Sequence, residues 1–366
     1  MDFTFTDEQQ MLRDSVSNFL ARHYDFDARQ KIVKSGTGYS LEIWSQIAEL
    51  GLLALPLGED AGGLGGGAVE LVAIAEPFGA HLLAEPYVAS AQMAASMLER
   101  TSRGETTQEW LDKAMTGEAV IAFAYEEGRG TPDPAMISTT LERTDGEMRL
   151  SGEKRMVLAG GEAQALVVVA RYGDGLAAVL VDPQASGVSI TDYPTVDGRR
   201  AANIRFDNVA VSDSELLSDD AAGALSQTLD IAMLGLCAES VGAMGALLAR
   251  TAEYAATRKQ FGVPIASFQA VAHRIADMKI AYSKARATLL YTAALLESGR
   301  ASERDMAILK GQTGKLGRLI GESAIQTHGG VGMTDELAIG HLHKRILAND
   351  AMLGSSEYHL RKLGTL

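Results

Sequence analysis

Apolar residues recur at three- and four-residue spacing in the first and last parts of the chain, with short β-favouring runs between them. In residues 1–115, Leu12, Val16, Phe19 and Leu20 form an apolar stripe behind Thr6-Asp7-Glu8-Gln9, which has the form of a capping box. A helix is therefore predicted to start near Asp7. The glycines Gly62, Gly63, Gly65, Gly66 and Gly67 interrupt the next helical stretch. They do not fit G-x-G-x-x-G and lie in no βαβ context, so they read as a loop and not as a dinucleotide phosphate turn.

From Glu118 to about Leu217 the runs Val120–Ala124, Ala165–Ala170, Ala177–Val181 and Ile204–Phe206 favour strands, and Gly, Asp and Pro punctuate them. A compact, mostly antiparallel β domain is expected there. After Asp219 helical spacing returns in alanine-rich segments over about 225–258, 269–298, 303–327 and 334–352, with Gly299 and Gly329-Gly330 as stops. Such a series predicts an antiparallel helical bundle. The class is α+β: an N-terminal all-helical domain over 1–117, a middle β-barrel or sandwich domain over 118–218, and a C-terminal four-helix bundle over 219–366.

Charge narrows the function classes. With 33 Lys+Arg against 47 Asp+Glu the net charge is −14, which leaves counterion-release binding to nucleic acid or to an anionic membrane little to work with. A local arginine site for a phosphate ligand is compatible with that balance. The single cysteine, Cys237, excludes an internal disulfide and a multi-cysteine metal site, and it fits a reducing cytoplasm. The opening MDFTFTDEQQ has no basic or apolar targeting region, and no apolar run long enough to span a bilayer stands out, so a soluble cytoplasmic protein is expected.

Two clusters carry candidate chemistry. In Arg258-Lys259-Gln260-Phe261-Gly262, the guanidinium suits a pyrophosphate, Gln260 suits ribose or phosphate oxygens, and Phe261 can pack on an adenine or on the core. Taken alone, basic residues before a glycine are an ordinary dipole-compensated helix end. In Gln326-Thr327-His328-Gly329-Gly330-Val331-Gly332 the glycines permit close backbone approach to a ligand, and equally a plain helix–helix connection. No His, Cys or carboxylate accompanies His328 at metal-ligand spacing, so a packed loop histidine is expected and no metal site.

The order of helical part, β part and bundle, followed by Arg258–Gly262, Gln269 and Gln326–Gly332, closely resembles the acyl-CoA dehydrogenase family over essentially the whole chain. Glu49–Pro56 and Glu59–Gly67 are also similar to it. The resemblance implies FAD as cofactor and an acyl-CoA thioester as substrate. A base removes the α-proton while the β-hydrogen leaves as hydride to the flavin, and an electron-transferring flavoprotein accepts the electrons. It also implies that Arg258, Lys259, Gln260, Phe261, Gln269, Gln326, Gly329 and Gly330 clasp the adenine end of an FAD held by a neighbouring subunit, with Ser355 a further cofactor contact.

The resemblance fails at the flavin ring and at the base. The family's Val-Thr-Glu-Pro-Gly falls on Ala124-Tyr125-Glu126-Glu127-Gly128, and its Trp-Ile-Thr on Met156-Val157-Leu158. The usual catalytic glutamate falls on Leu353 and the alternative one on Ala232, neither of which accepts a proton. Asp230, Glu239, Asp350 and Glu357 are the substitute carboxylates nearby. This pattern implies the small subunit of an α2β2 heterotetramer, resembling that of pimeloyl-CoA dehydrogenase, whose homologous large subunit holds the ring and the base. A homotetramer using Glu239 or Glu357, and a catalytically inactive scaffold, are the alternatives.

Overall fold

The computed structural model describes residues 4–101, 104–128 and 133–365, so residues 1–3 of the opening motif lie outside the described residues. The α-helices are α1 (Asp7–His23), α2 (Phe26–Val33), α3 (Leu41–Glu49), α4 (Ala68–His81), α5 (Ala95–Thr101), α6 (Glu105–Met115), α7 (Ala222–Thr257), α8 (Gln269–Glu297), α9 (Glu303–His328), α10 (Ala338–Ala351) and α11 (Ser356–Leu363). The strands are β1 (Ile121–Ala124), β2 (Thr140–Thr144), β3 (Glu147–Leu158), β4 (Ala165–Tyr172), β5 (Gly175–Val181), β6 (Val188–Pro194), β7 (Arg200–Val211), β8 (Leu216–Ser218), β9 (Lys259–Gln260) and β10 (Val263–Pro264). By contacts the chain divides into two units: Met1–Gln30, Ala68–Leu83 and Met233–Leu366 form one, Lys31–Gly67 and Ala84–Ala232 the other.

In the first, helical unit, α1 begins as its sequence dictates. The Gln9 N–H donates to Thr6 Oγ1 (3.3 Å) and the Thr6 N–H to the Gln9 side chain (3.0 Å), so both arms of the capping box form. Helices α4 and α7 touch backbone to backbone. A Cβ on Gly79 would fall onto the carbonyl oxygen of Glu239, and one on Gly242 onto that of Glu76, so only glycine permits this crossing. The buried Glu76 carboxylate then receives Arg13 of α1 (3.3 Å) and Arg286 of α8 (2.8 Å), which anchors both helices to α4. On α9, Gly314, Gly317 and Gly321 follow helical spacing. Side chains there would meet Asp350, Ile346 and His343, so the glycine stripe lets α10 and α11 lie close against α9.

Three expectations change. Residues Gly329–Met333 form a 3₁₀ turn, so α10 starts at Ala338 and not near 334, and α11 adds a helix beyond Gly354. An apolar run of membrane-spanning length does exist within α7, where an 18-residue window has a mean hydropathy of 1.8. That window is 72% buried, as befits a core helix.

In the second unit the strands form one sheet in the order β6-β7-β3-β2-β4-β5-β8, with β1 paired to β4. The pairings are antiparallel except β1–β4 and β2–β4, which are parallel. The unbroken apolar run Ala165–Ala170 is buried along its whole length, as expected of a strand covered on both faces. Leu150, Leu166, Val168, Val179, Ile204 and Phe206 form the centre of the core.

Candidate functional site

Helix α7 ends at Thr257, and Arg258 leads directly into a hairpin. Gln260 pairs with Val263 in antiparallel register, so Phe261-Gly262 is a two-residue turn. Both residues have positive φ (55° and 82°), the combination a type I′ turn requires and one that is costly for phenylalanine. Phe261 is 92% exposed, with its ring set edge-on to Phe268 at 6.2 Å. The hairpin is fastened to Arg258 by the Ile265 N–H donating to the Arg258 carbonyl (2.8 Å). A large apolar ring held in a strained turn and left in solvent is poorly explained by folding alone.

Gln269 opens α8 and Gln326 lies in the last turn of α9; both are exposed. Among the described residues, the side chains of Arg258, Lys259, Gln260, Gln269 and Gln326 have no hydrogen-bond or ion-pair partner. These cations and amides suit the phosphates, ribose and adenine of a nucleotide tail. Gly329 closes α9 with φ 69° and ψ −146°, a conformation reserved for glycine, and a side chain on Gly329 or Gly330 would meet open space. Between α8 and α9 runs an open groove of about 470 Å³, lined in part by His273, Arg274, Asp277 and Ser323. His328 is packed as expected, but as the last residue of α9 and not in a loop; among the described residues no group of His, Cys and carboxylates able to hold a metal occurs.

The two segments assigned to the flavin ring are brought together. The Arg155 N–H donates to the Glu126 carbonyl (2.8 Å), and Lys154 Nζ donates to the Tyr125 carbonyl (3.1 Å) and to Glu127 Oε1 (2.9 Å). Glu127 also accepts from the N–H and hydroxyl groups of Ser138 and Thr139 at 2.5–3.0 Å. Burial pushes the Glu127 carboxyl up, but the Lys154 charge and the hydrogen bonds outweigh it and hold the group down at about 2. Burial lowers the Lys154 ammonium to about 8 against the opposing pull of Glu127. Tyr125 is buried and stacks with Phe123 (6.0 Å). Met156 has φ 54° within a register shift between β3 and β7, and this bulge leaves its side chain 38% exposed while Val157 and Leu158 are buried. In the sequence, Glu127 stands out only as a lost proline. The lysine two residues after Gly152 is the signal that accompanies it.

Neither base position holds an acid. Ala232 is fully buried in α7, and Leu353 is 1% exposed at φ 53°, just before Gly354 at φ 85°. His359 Nε2 donates to the Leu353 carbonyl (2.9 Å), fixing this turn. The helix does not continue through Gly354, and Ser355 instead caps α11, accepting from the Tyr358 N–H (3.3 Å). The substitute carboxylates have structural duties or stand apart. Glu239 accepts from Asn349 Nδ2 (3.1 Å) and pairs with the buried Arg345 (3.4 Å); Asp350 accepts from the Ser356 N–H (2.9 Å) and hydroxyl (3.2 Å). Glu357 is exposed in the first turn of α11, and Asp230 is half-buried in α7.

Models of the acyl-CoA dehydrogenase N-terminal, middle and C-terminal domains match residues 6–118, 122–209 and 222–365. The probable acyl-CoA dehydrogenase YngJ of Bacillus subtilis is 29% identical, the match covering 98% of this chain and 97% of that protein. The crystal structure of the ChsE4-ChsE5 complex from Mycobacterium tuberculosis is 26% identical with a TM-score of 0.92, covering 100% of this chain and 98% of that one. The FAD complex of PigA is 25% identical with a TM-score of 0.90, at 100% and 98% coverage. With these matches spanning nearly every described residue, the chain belongs to the acyl-CoA dehydrogenase family.

Proposed function

We propose that this chain is the small subunit of a heteromeric, FAD-dependent acyl-CoA dehydrogenase that acts in the cytoplasm. Its N-terminal, middle and C-terminal domains cover 1–117, 118–218 and 219–366. FAD, when bound, supplies the acceptor for the hydride that leaves the β-carbon of an acyl-CoA thioester. Arg258, Gln260, Phe261, Gln269, Gln326, Gly329 and Gly330 hold the ADP end of a flavin whose ring lies in a homologous large subunit, with Ser355 near the cofactor. That partner contributes the base, in an α2β2 heterotetramer that passes electrons to an electron-transferring flavoprotein. The observation that carries this reading is the contrast between a set of unpaired, exposed nucleotide-suited side chains and two base positions filled by the buried Leu353 and Ala232. A homotetramer would need Glu239 or Glu357 as base, and Glu239 is committed to Arg345 and Asn349.

Replacing Arg258 tests the clasp. Arg258→Ala in the co-purified complex removes charge-assisted hydrogen bonds of about 1.5–3 kcal/mol, so FAD should be released faster by roughly tenfold or more. Unchanged flavin retention would defeat the assignment.

A further inference from the structure

The two clasp segments are far apart in sequence, one at the end of α7 and the other at the end of α9, and a ring pair joins them. Tyr254 precedes Arg258 by one helical turn, and its carbonyl accepts from the Arg258 N–H (2.8 Å), so the two residues share a face of the helix end. His328 is the last residue of α9 and immediately precedes Gly329-Gly330. The Tyr254 and His328 rings stack with centroids 4.3 Å apart and planes inclined by 23°, and the Tyr254 hydroxyl reaches the His328 carbonyl at 3.5 Å. His328 is itself held, its Nδ1 donating to the Ala324 carbonyl (2.9 Å). The glycine turn wraps back over it, since a Cβ on Gly332 would lie 2.9 Å from the His328 Cβ.

We infer that Tyr254 and His328 are positioning residues that set the distance between Arg258 with its hairpin and the Gln326–Gly330 turn, so that both grip one nucleotide tail together. This rests on the clasp reading above. Separately, each segment is a solvated helix end whose donors wander; joined through a stacked pair, they are preorganised and the ligand meets less ordering cost on binding. A histidine packed by its loop alone would leave no reason for Tyr254 to be stacked on it across the bundle.

FAD release from the flavin-loaded assembly, followed by recovery of flavin fluorescence, tests the inference, with the thermal midpoint of each variant as a control for folding. Tyr254→Ala and His328→Ala should each speed release by roughly fivefold to tenfold, the scale of one aromatic pair. The double variant should be no faster than the faster single variant, because either change breaks the same link. Tyr254→Phe, which keeps the stack, should restore release to within roughly twofold of the parent. Should Tyr254→Ala fail to fold, Tyr254→Leu keeps bulk without the stacked ring and makes the same prediction. Arg258→Ala separates the positioning role from the clasp. Fast release from Arg258→Ala with parent-like release from the Tyr254 and His328 variants overturns the positioning role alone, whereas parent-like release from Arg258→Ala overturns the clasp itself.

Discussion

Phe261 occupies a strained backbone position from which folding gains little. An L-residue in the left-handed region costs about 1 kcal/mol, and an almost fully exposed phenylalanine recovers little of that by burial. Asparagine tolerates the same turn far better, so Phe261→Asn should raise the thermal midpoint slightly or leave it unchanged. FAD release should quicken by roughly fivefold, the scale of one base–aromatic stack. A lowered midpoint with unchanged release would mark Phe261 as structural only. The sequence named Phe261 and its neighbours through resemblance, but its strain was not legible there, because Phe-Gly is not a pair that announces a type I′ turn. Tyr254 was equally hidden: a tyrosine within an alanine-rich helix reads as core until a partner from another helix is seen.

At the scale of elements, the segment after β1 and strand β3 are joined by an ion pair whose Glu127 stands where relatives are expected to have a proline. Glu127 receives Lys154, Ser138 and Thr139, and Lys154 is fully buried. Glu127→Gln leaves that ammonium without its counter-charge and should destabilise the chain by about 3 kcal/mol in chemical denaturation. The pH dependence has a definite sign. The native carboxyl titrates near 2 against 4.5 for its ordinary value, so its stabilisation is complete above about 4.5 and is lost as the pH falls toward 2. The parent should therefore lose stability more steeply than Glu127→Gln across that window, and parallel curves would show that the pair contributes nothing. The long C-terminal helices, strands β1, β4 and β5 and part of β7 were readable from the pattern of apolar positions, and the capping box placed the start of α1; β2, β3, β6 and β8 were not marked. The 3₁₀ turn at Gly329–Met333 and the helix α11 were not, because adjacent glycines signal only an interruption and Gly354 hides the short helix behind it.

For the whole molecule, the proposed heteromer sorts the surviving and missing features by the subunit that would use them. The side chains suited to a neighbour's nucleotide tail are exposed and unpaired. The positions a self-sufficient enzyme needs are filled by Leu353, Ala232, Tyr125 and Met156, and the first three are buried. The sequence displayed this asymmetry as a list of substitutions. The structure adds that Leu353 is built into a fixed turn, its carbonyl held by His359, so restoring an acid there would disturb a packed site. The flavin content and acyl-CoA oxidation of the chain, purified alone and purified with its co-expressed partner, test this division most directly. The chain alone should be colourless and inactive, and the co-expressed complex should carry flavin and be active. A yellow chain that by itself carries about one flavin per polypeptide and oxidises an acyl-CoA thioester would contradict it.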